Sequence, residues 1–337
     1  MARALPGART QTELWDGFFK QHYGNRPLAR RLFASAGVTT RHAVADPVIE
    51  DLSAWSTGAR MERYAAEAMP LAKDAVTSAL ADAGLAASDI GLLVVASCTG
   101  YGTPGIDIKL ACDLGMDPAV QRLALGHMGC YAALPALGAG SDYVVARGRP
   151  AVVLCLELTS LHVQPPTQDV GQIVSHALFS DGAAAVVLEP GAAAGFELLD
   201  VVARTDTTTA GHMTWDVTDL GFRMGLSPRV PDELARHVGP AVSELLDRRG
   251  LTVAEVAGWA VHPGGPRILQ VVQEQLDLPA AALAEARNVL AAHGNCSSAT
   301  VLLVLAEVAP SVPAGGYVVA TAFGPGLTLY AALLRRV

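Results

Sequence analysis

Residues 75–97 read AVTSALADAGLAASDIGLLVVAS, and residues 241–263 read AVSELLDRRGLTVAEVAGWAVHP. The two stretches align without a gap at an offset of 166 residues, 75 falling on 241. Each starts as an amphipathic helix that a glycine stops, Gly84 in one and Gly250 in the other. A short second turn and a buried strand, LLVVAS or GWAVHP, complete each unit. The same offset lays GCYAALPAL (129–137) over NCSSATVLL (295–303), and AVVLC (151–155) over YVVAT (317–321). Three matches at one offset imply a duplication. The order helix, strand, loop, helix, strand in each half predicts a duplicated α/β fold, with halves at 1–195 and 196–337 and mixed, buried sheets. The apolar helices after Gly129 and Asn295 have no polar face, so they are expected in the middle, covered on both sides.

Composition agrees with a large core. The chain has 337 residues, 51% of them hydrophobic and only 17% charged. Its net charge of −8 argues against nucleic acid or anionic lipid as partners, so any phosphate must be held by local arginines. The five cysteines are odd in number and irregularly spaced, with no CxxC pair, which excludes a zinc site or a disulfide framework from sequence. They read as reduced thiols of a cytoplasmic protein. The opening MARALPGARTQTEL lacks the apolar segment of a signal peptide. No run approaches the 18 or so apolar residues needed to insert in a membrane.

The duplication also indicates where chemistry sits. Cys130, His262 and Asn295 all fall where a loop or strand meets a helix, at equivalent places in the halves. A pseudo-twofold arrangement brings such ends into one cleft. At a helix N-terminus, Cys130 is expected to have a lowered thiol pKa and act as a nucleophile. Taken singly, each residue also has a plainer reading. Cys130 suits a small buried thiol, His262 a strand-end histidine bonded to a carbonyl, and Asn295 a helix N-cap.

Together, the blocks GCYAAL, LFSDGAAAVV, VHPGGPRIL, HGNCSSA and FGPGLT, in this order from residue 129 to 328, resemble the type III polyketide synthases, the chalcone-synthase-like enzymes. SCTGYGTPG (97–105) extends the likeness toward the N-terminus. The resemblance implies a duplicated thiolase-like αβαβα five-layer fold and a catalytic triad of Cys130, His262 and Asn295. It implies an acyl-coenzyme A starter loaded on Cys130 and extended with malonyl-coenzyme A, without a metal or a cofactor beyond the coenzyme A thioesters. It further implies a homodimer in which Thr103 lies on a loop reaching the partner subunit.

By the same likeness Phe179 and Phe222 are the gatekeepers between coenzyme tunnel and reaction cavity. Thr159 and His162 shape that cavity, with Gly324 and Pro325 beside it. Arg41, Gly265 and Arg267 are expected to contact coenzyme A. Ser180 and Ala322 replace glycines usual in the family, which is expected to tighten the cavity. Thr159 stands where tetrahydroxynaphthalene synthases carry an extra cysteine, which argues against that activity. Small residues around GHMGCYAALPAL suggest aliphatic starters and pyrone or resorcinol products. The ketoacyl-carrier-protein synthases III, a Cys-His acyl hydrolase and a non-catalytic thiolase-fold binding protein are the alternatives. The first strand of the fold is almost absent before ALPG.

Overall fold

LLVVAS is apolar up to its final Ser97 because its sheet is covered on both faces. Leu92, Val94 and Ala96 pack into one core cluster, whereas Leu93 and Val95 pack into another on the opposite face. The period of two along a strand sends alternate side chains to opposite sides, so a sheet buried twice needs a continuous apolar run. The computed structural model describes all 337 residues. In chain order its strands are β1 (Ala2–Ala4), β2 (Ala8–Thr10), β3 (Thr40–His42), β4 (Leu92–Ser97), β5 (Gln121–Gly126), β6 (Ala151–Glu157) and β7 (Gly182–Leu188). They continue with β8 (Phe196–Thr205), β9 (Met213–Thr218), β10 (Gly221–Leu226), β11 (Val256–Val261), β12 (Tyr317–Gly324) and β13 (Thr328–Arg336).

The first main sheet runs β1-β7-β6-β4-β5 and the second β11-β12-β13-β8. Their cores match strand for strand. β4 and β6 are parallel and β6 and β7 antiparallel, as β11 and β12 are parallel and β12 and β13 antiparallel. An antiparallel outer strand closes each set, β1 on β7 and β8 on β13. The repeat in the sequence is therefore a repeat of whole sheets. The outer strands differ in length: β1 pairs Ala2–Ala4 with β7, whereas its counterpart β8 spans ten residues.

Five layers result. The helix Thr57–Ala83 starts at a Ser56 cap and ends at Gly84 (φ 67°), and its Ala68, Ala72, Ala75 and Ala79 lie flat on the outer face of the first sheet. Between the sheets run Ala133–Arg147 and Thr300–Val308, which join the 56-residue main core. Residues 301–305 are buried on every side, as their uniform apolarity predicts. The companion helix emerges at its end, where Val145 is 84% exposed. Val230–Asp247 and Pro266–Gln275 cover the outer face of the second sheet. The N-terminal segment packs Trp15, Phe19 and Phe33 against Ile173 and Leu178 of the helix Val170–Leu178. No helix is long and apolar enough to cross a membrane.

Candidate active site

Cys130 sits in a tight turn, Gly129–Tyr131, that feeds the central helix Ala133–Arg147. Gly129 adopts φ 79°, and a Cβ there would lie 2.8 Å from Pro325 Cδ. This close approach joins the nucleophile turn of one half to the turn after β12 of the other. His262 ends β11 and donates its backbone N–H to Thr321 O at 2.8 Å. Asn295 is held by an isolated bridge to Phe179: its N–H donates to Leu178 O at 2.9 Å, and Ser180 N–H donates to its carbonyl at 2.9 Å. Three segments remote in sequence thus meet on one cavity of about 670 Å³, lined by Cys130, His262 and Asn295.

The polar groups are set for chemistry. The Asn295 side-chain oxygen accepts from Ser297 N–H (2.9 Å) and Thr300 Oγ1 (3.4 Å), which turns its NH₂ group toward the cavity. The Asn295 amide is thus anchored at its oxygen, in the manner of a helix cap, and free at its NH₂ group. Both ring nitrogens of His262 lack any protein partner although the residue is fully buried. Burial alone pushes its pKa down to about 3. The Cys130 thiol donates to Ser297 Oγ at 3.6 Å. Burial pushes its pKa up to about 12, and buried Glu157 adds to the rise. The lowered thiol expected from a helix N-terminus is thus not found. A tight turn precedes the helix, no cation is beside the sulfur, and desolvation of a thiolate outweighs the dipole. Burial thus disfavours a charge on either group taken alone.

Glu157, at the end of β6, is a group the sequence reading missed. It accepts from Cys98 N–H (3.0 Å), Thr99 Oγ1 (2.9 Å) and Ser298 Oγ (2.6 Å), and burial raises its pKa. Ser297 Oγ also lies 3.7 Å from Cys98 Sγ, so one hydroxyl touches both thiols. A second chamber of about 20 Å³ beside Cys130 is lined in part by Cys98, Thr159, Trp215, Ser297 and Pro325. Phe179, Met213 and Met224 border both chambers.

The other anticipated residues divide. Thr159, Phe179 and Pro325 line the site, and Gly265 and Arg267 line the outer part of the large cavity. Gly324 supports Cys130 from behind, where a Cβ would stand 3.0 Å from the Tyr131 ring and 3.4 Å from Cys130 N. Thr103 is on an exposed loop away from the triad of its own chain. Four expectations need correction. Phe222 lines neither chamber: it is 3% exposed and stacks on His162 with centroids 4.5 Å apart. Met224, two residues along the same strand and paired with Trp215, faces the chambers instead. His162 is also in the wall, accepting from Phe222 N–H at 2.9 Å and donating to Thr99 O at 2.7 Å. Both its nitrogens are spent, so it has none left for a substrate.

Arg41 is the third correction, since it is 7% exposed and donates to His176 O (2.6 Å) and Phe179 O (3.1 Å), away from the mouth. Arg267 lines the large cavity instead, and exposed Arg31 and Arg229 are the chain neighbours of lining residues Leu32 and Pro228. The fourth concerns Ser180 and Ala322. Neither lines a chamber; Ser180 Oγ accepts from His42 N–H at 2.8 Å and fixes β3. Phe222 and Met224 stand two residues apart and share a face of β10, so strand alternation does not choose between them; packing does.

Comparison with known proteins gives the family. Residues 35–192 match the N-terminal domain of chalcone and stilbene synthases, and residues 199–337 match their C-terminal domain. An alpha-pyrone synthesis polyketide synthase-like protein of Mycobacterium tuberculosis is 35% identical over 326 residues, spanning 91% of this chain and 81% of its own. A 1,3,6,8-tetrahydroxynaphthalene synthase of Streptomyces peucetius subsp. caesius is 36% identical over 341 residues, covering 96% of this chain and 88% of the relative. The crystal structure of the 1,3,6,8-tetrahydroxynaphthalene synthase from Streptomyces coelicolor A3(2) superposes with a TM-score of 0.93 at 29% identity, over 99% of this chain and 97% of the other.

Proposed function

Because the chain belongs to the chalcone and stilbene synthase family, the type III polyketide synthases, we propose that it loads an acyl-coenzyme A starter on Cys130 and extends it with malonyl-coenzyme A. The observation that carries this reading is the convergence of Cys130, His262 and Asn295 on one buried cavity. A neutral thiol attacks slowly, so loading begins with transfer of the Cys130 proton to His262. The thiolate attacks the starter thioester, coenzyme A leaves, and the imidazolium returns the proton to its sulfur. Lone charges are costly in this site, but the thiolate–imidazolium pair is neutral overall.

Malonyl-coenzyme A then takes the cleared cavity. Loss of carbon dioxide leaves an enolate, whose oxygen accepts from a His262 ring N–H and from the free NH₂ of Asn295. Its carbon attacks the Cys130 thioester, the sulfur leaves, and the chain is two carbons longer on coenzyme A. The coenzyme is held at the mouth by Gly265 and Arg267, with Arg31 and Arg229 close to its phosphates. No cofactor beyond these thioesters takes part. The mostly apolar lining of Val174, Leu178, Met213, Met224 and Leu226 favours an aliphatic starter chain and, after cyclisation, a pyrone or resorcinol product. Incubation with malonyl-coenzyme A and a panel of acyl-coenzyme A starters, read by mass spectrometry, tests this. Failure to form any extended product would refute it.

The working unit is a homodimer. β5 lies at the edge of the first sheet with an unpaired outer side, and Tyr101 (68% exposed) and Val145 (84%) stand out from the surface. Light scattering should return twice the chain mass of 34.9 kDa. A single-chain mass at micromolar concentration would show the subunit to act alone.

A further inference from the structure

A third cavity, of about 50 Å³, lies behind Phe179 on the side away from the mouth. Thr159, Phe179 and Trp215 form the partition, each lining both this cavity and the small chamber at Cys130. Two buried side chains in its lining have unused hydrogen-bonding groups. Arg41 Nε and Nη2 meet no acceptor, and Gln172, 3% exposed, has an unpartnered Oε1. The Arg41 guanidinium is held from its other edge by the His176 and Phe179 carbonyls, and it lies 5.5 Å from the Phe19 ring centroid.

No counter-ion touches it. The nearest carboxylate, Asp181, is occupied by Ser160 N–H and Oγ, Thr159 Oγ1 and Val44 N–H. Native interiors seldom leave a buried donor unmatched, and each such group costs about 1–3 kcal/mol. Two donors on the same edge of one guanidinium, Nε and Nη2, form the fork that a carboxylate fills with both oxygens. A chain tethered at Cys130 that passes Phe179 and Trp215 arrives at that fork.

We propose that the Arg41 cavity is a subsite for the free carboxylate of an ω-carboxyacyl starter, the acyl group of a dicarboxylic acid monothioester of coenzyme A. The assignment rests on the polyketide synthase reading above. It refines the starter class: methylenes along the apolar wall, and an anionic end behind Phe179. Arg41 supplies the charge and the paired donors, and Gln172, whose unpartnered atom is the amide oxygen, must turn its amide over to bring the NH₂ to the same carboxylate.

The test measures acyl-adduct formation on Cys130 in the full-length protein by quench and intact mass. Pairs of starters of equal length, one ending in carboxylate and one in methyl, are compared from four to eight carbons, which leaves out the malonyl extender itself. We expect the carboxylate member to load at least ten-fold faster at one length or more. Arg41→Gln should bring that ratio close to one, Arg41→Lys should leave an intermediate value because it keeps charge without the fork, and Gln172→Leu should lower it several-fold. Should Arg41→Gln fail to fold, the Gln172→Leu ratio decides. Methyl-ended starters that load while no carboxylate partner is preferred at any length would overturn the subsite and leave the synthase reading intact. A preference unchanged in both Arg41→Gln and Gln172→Leu would overturn it too. Absence of any adduct on Cys130 from either series would remove the synthase reading and this subsite with it.

Discussion

At the scale of single residues, the site is built so that charge exists only in passing. His262 has no partner on either ring nitrogen and a pKa pushed down to about 3, and Cys130 has its own pushed up to about 12. Burial opposes ionisation of either alone, so the proposed loading step turns on exchange of a proton between them. Cys130→Ala should therefore abolish the acyl adduct, whereas substitution of exposed Cys112 should leave it. An adduct that persists in the Cys130→Ala protein, seen by intact mass, would disprove the nucleophile assignment. Asn295 enters later. With its oxygen fixed by Ser297 and Thr300, only its NH₂ is free for an enolate. Asn295→Ala should still load starter but lose decarboxylation of malonyl-coenzyme A by roughly 10²–10³-fold. Equal losses in loading and decarboxylation would point to a structural role instead.

At the scale of elements, the β9–β10 hairpin and the two turns at the centre do the positioning. Met224 and Phe222 share a face of β10, but only Met224 reaches the chambers. Met224→Trp should shorten the longest starter accepted, read as kcat/KM across a chain-length series. Phe222→Leu should leave that limit in place and lower stability by about 1–2 kcal/mol through lost packing on His162. The opposite pattern would mean that Phe222 is the gate. Gly129 carries the second constraint. Its φ of 79° and the 2.8 Å approach to Pro325 both exclude a side chain. Gly129→Ala should cost about 1–2 kcal/mol from backbone strain alone, and more where Pro325 must move. Denaturant midpoints measure this, and an unchanged midpoint would show the turn to be freely remodelled.

At the scale of the whole molecule, the number of histidines buried as neutral rings sets the response to acid. His262 and His162 are shifted down to about 3 and about 4, His176 well below its ordinary range, and His22, His42 and His293 are also lowered, all chiefly by burial. Unfolded, these side chains take up protons near pH 6.5; folded, they refuse them until lower pH. The unfolded state thus binds more protons in that window, so stability falls as pH drops from 6.5 toward about 4. Each fully buried ring contributes up to about 1.4 kcal/mol per pH unit. Glu157 and Asp181, raised by burial, act in the opposite direction, but six groups oppose two. A Tm that rises between pH 6.5 and 4.5 would contradict this account.

Much of the architecture was legible in the sequence because it is written in local patterns. Apolar runs such as LLVVAS and YVVAT, the helices stopped at Gly84 and Gly250, and the common offset are properties of contiguous segments, and contiguous segments determine elements. The placement of the three candidate residues was legible for a related reason: short motifs put Cys130, His262 and Asn295 at element ends whatever surrounds them, and they line one cavity. Tertiary structure alone decided the rest. Whether Phe222 or Met224 faces the substrate, whether His162 has a free nitrogen, and whether Arg41 meets solvent depend on segments that approach only after folding. The protonation of Cys130 belongs with these, since the desolvation that holds it neutral comes from side chains supplied by both halves of the chain.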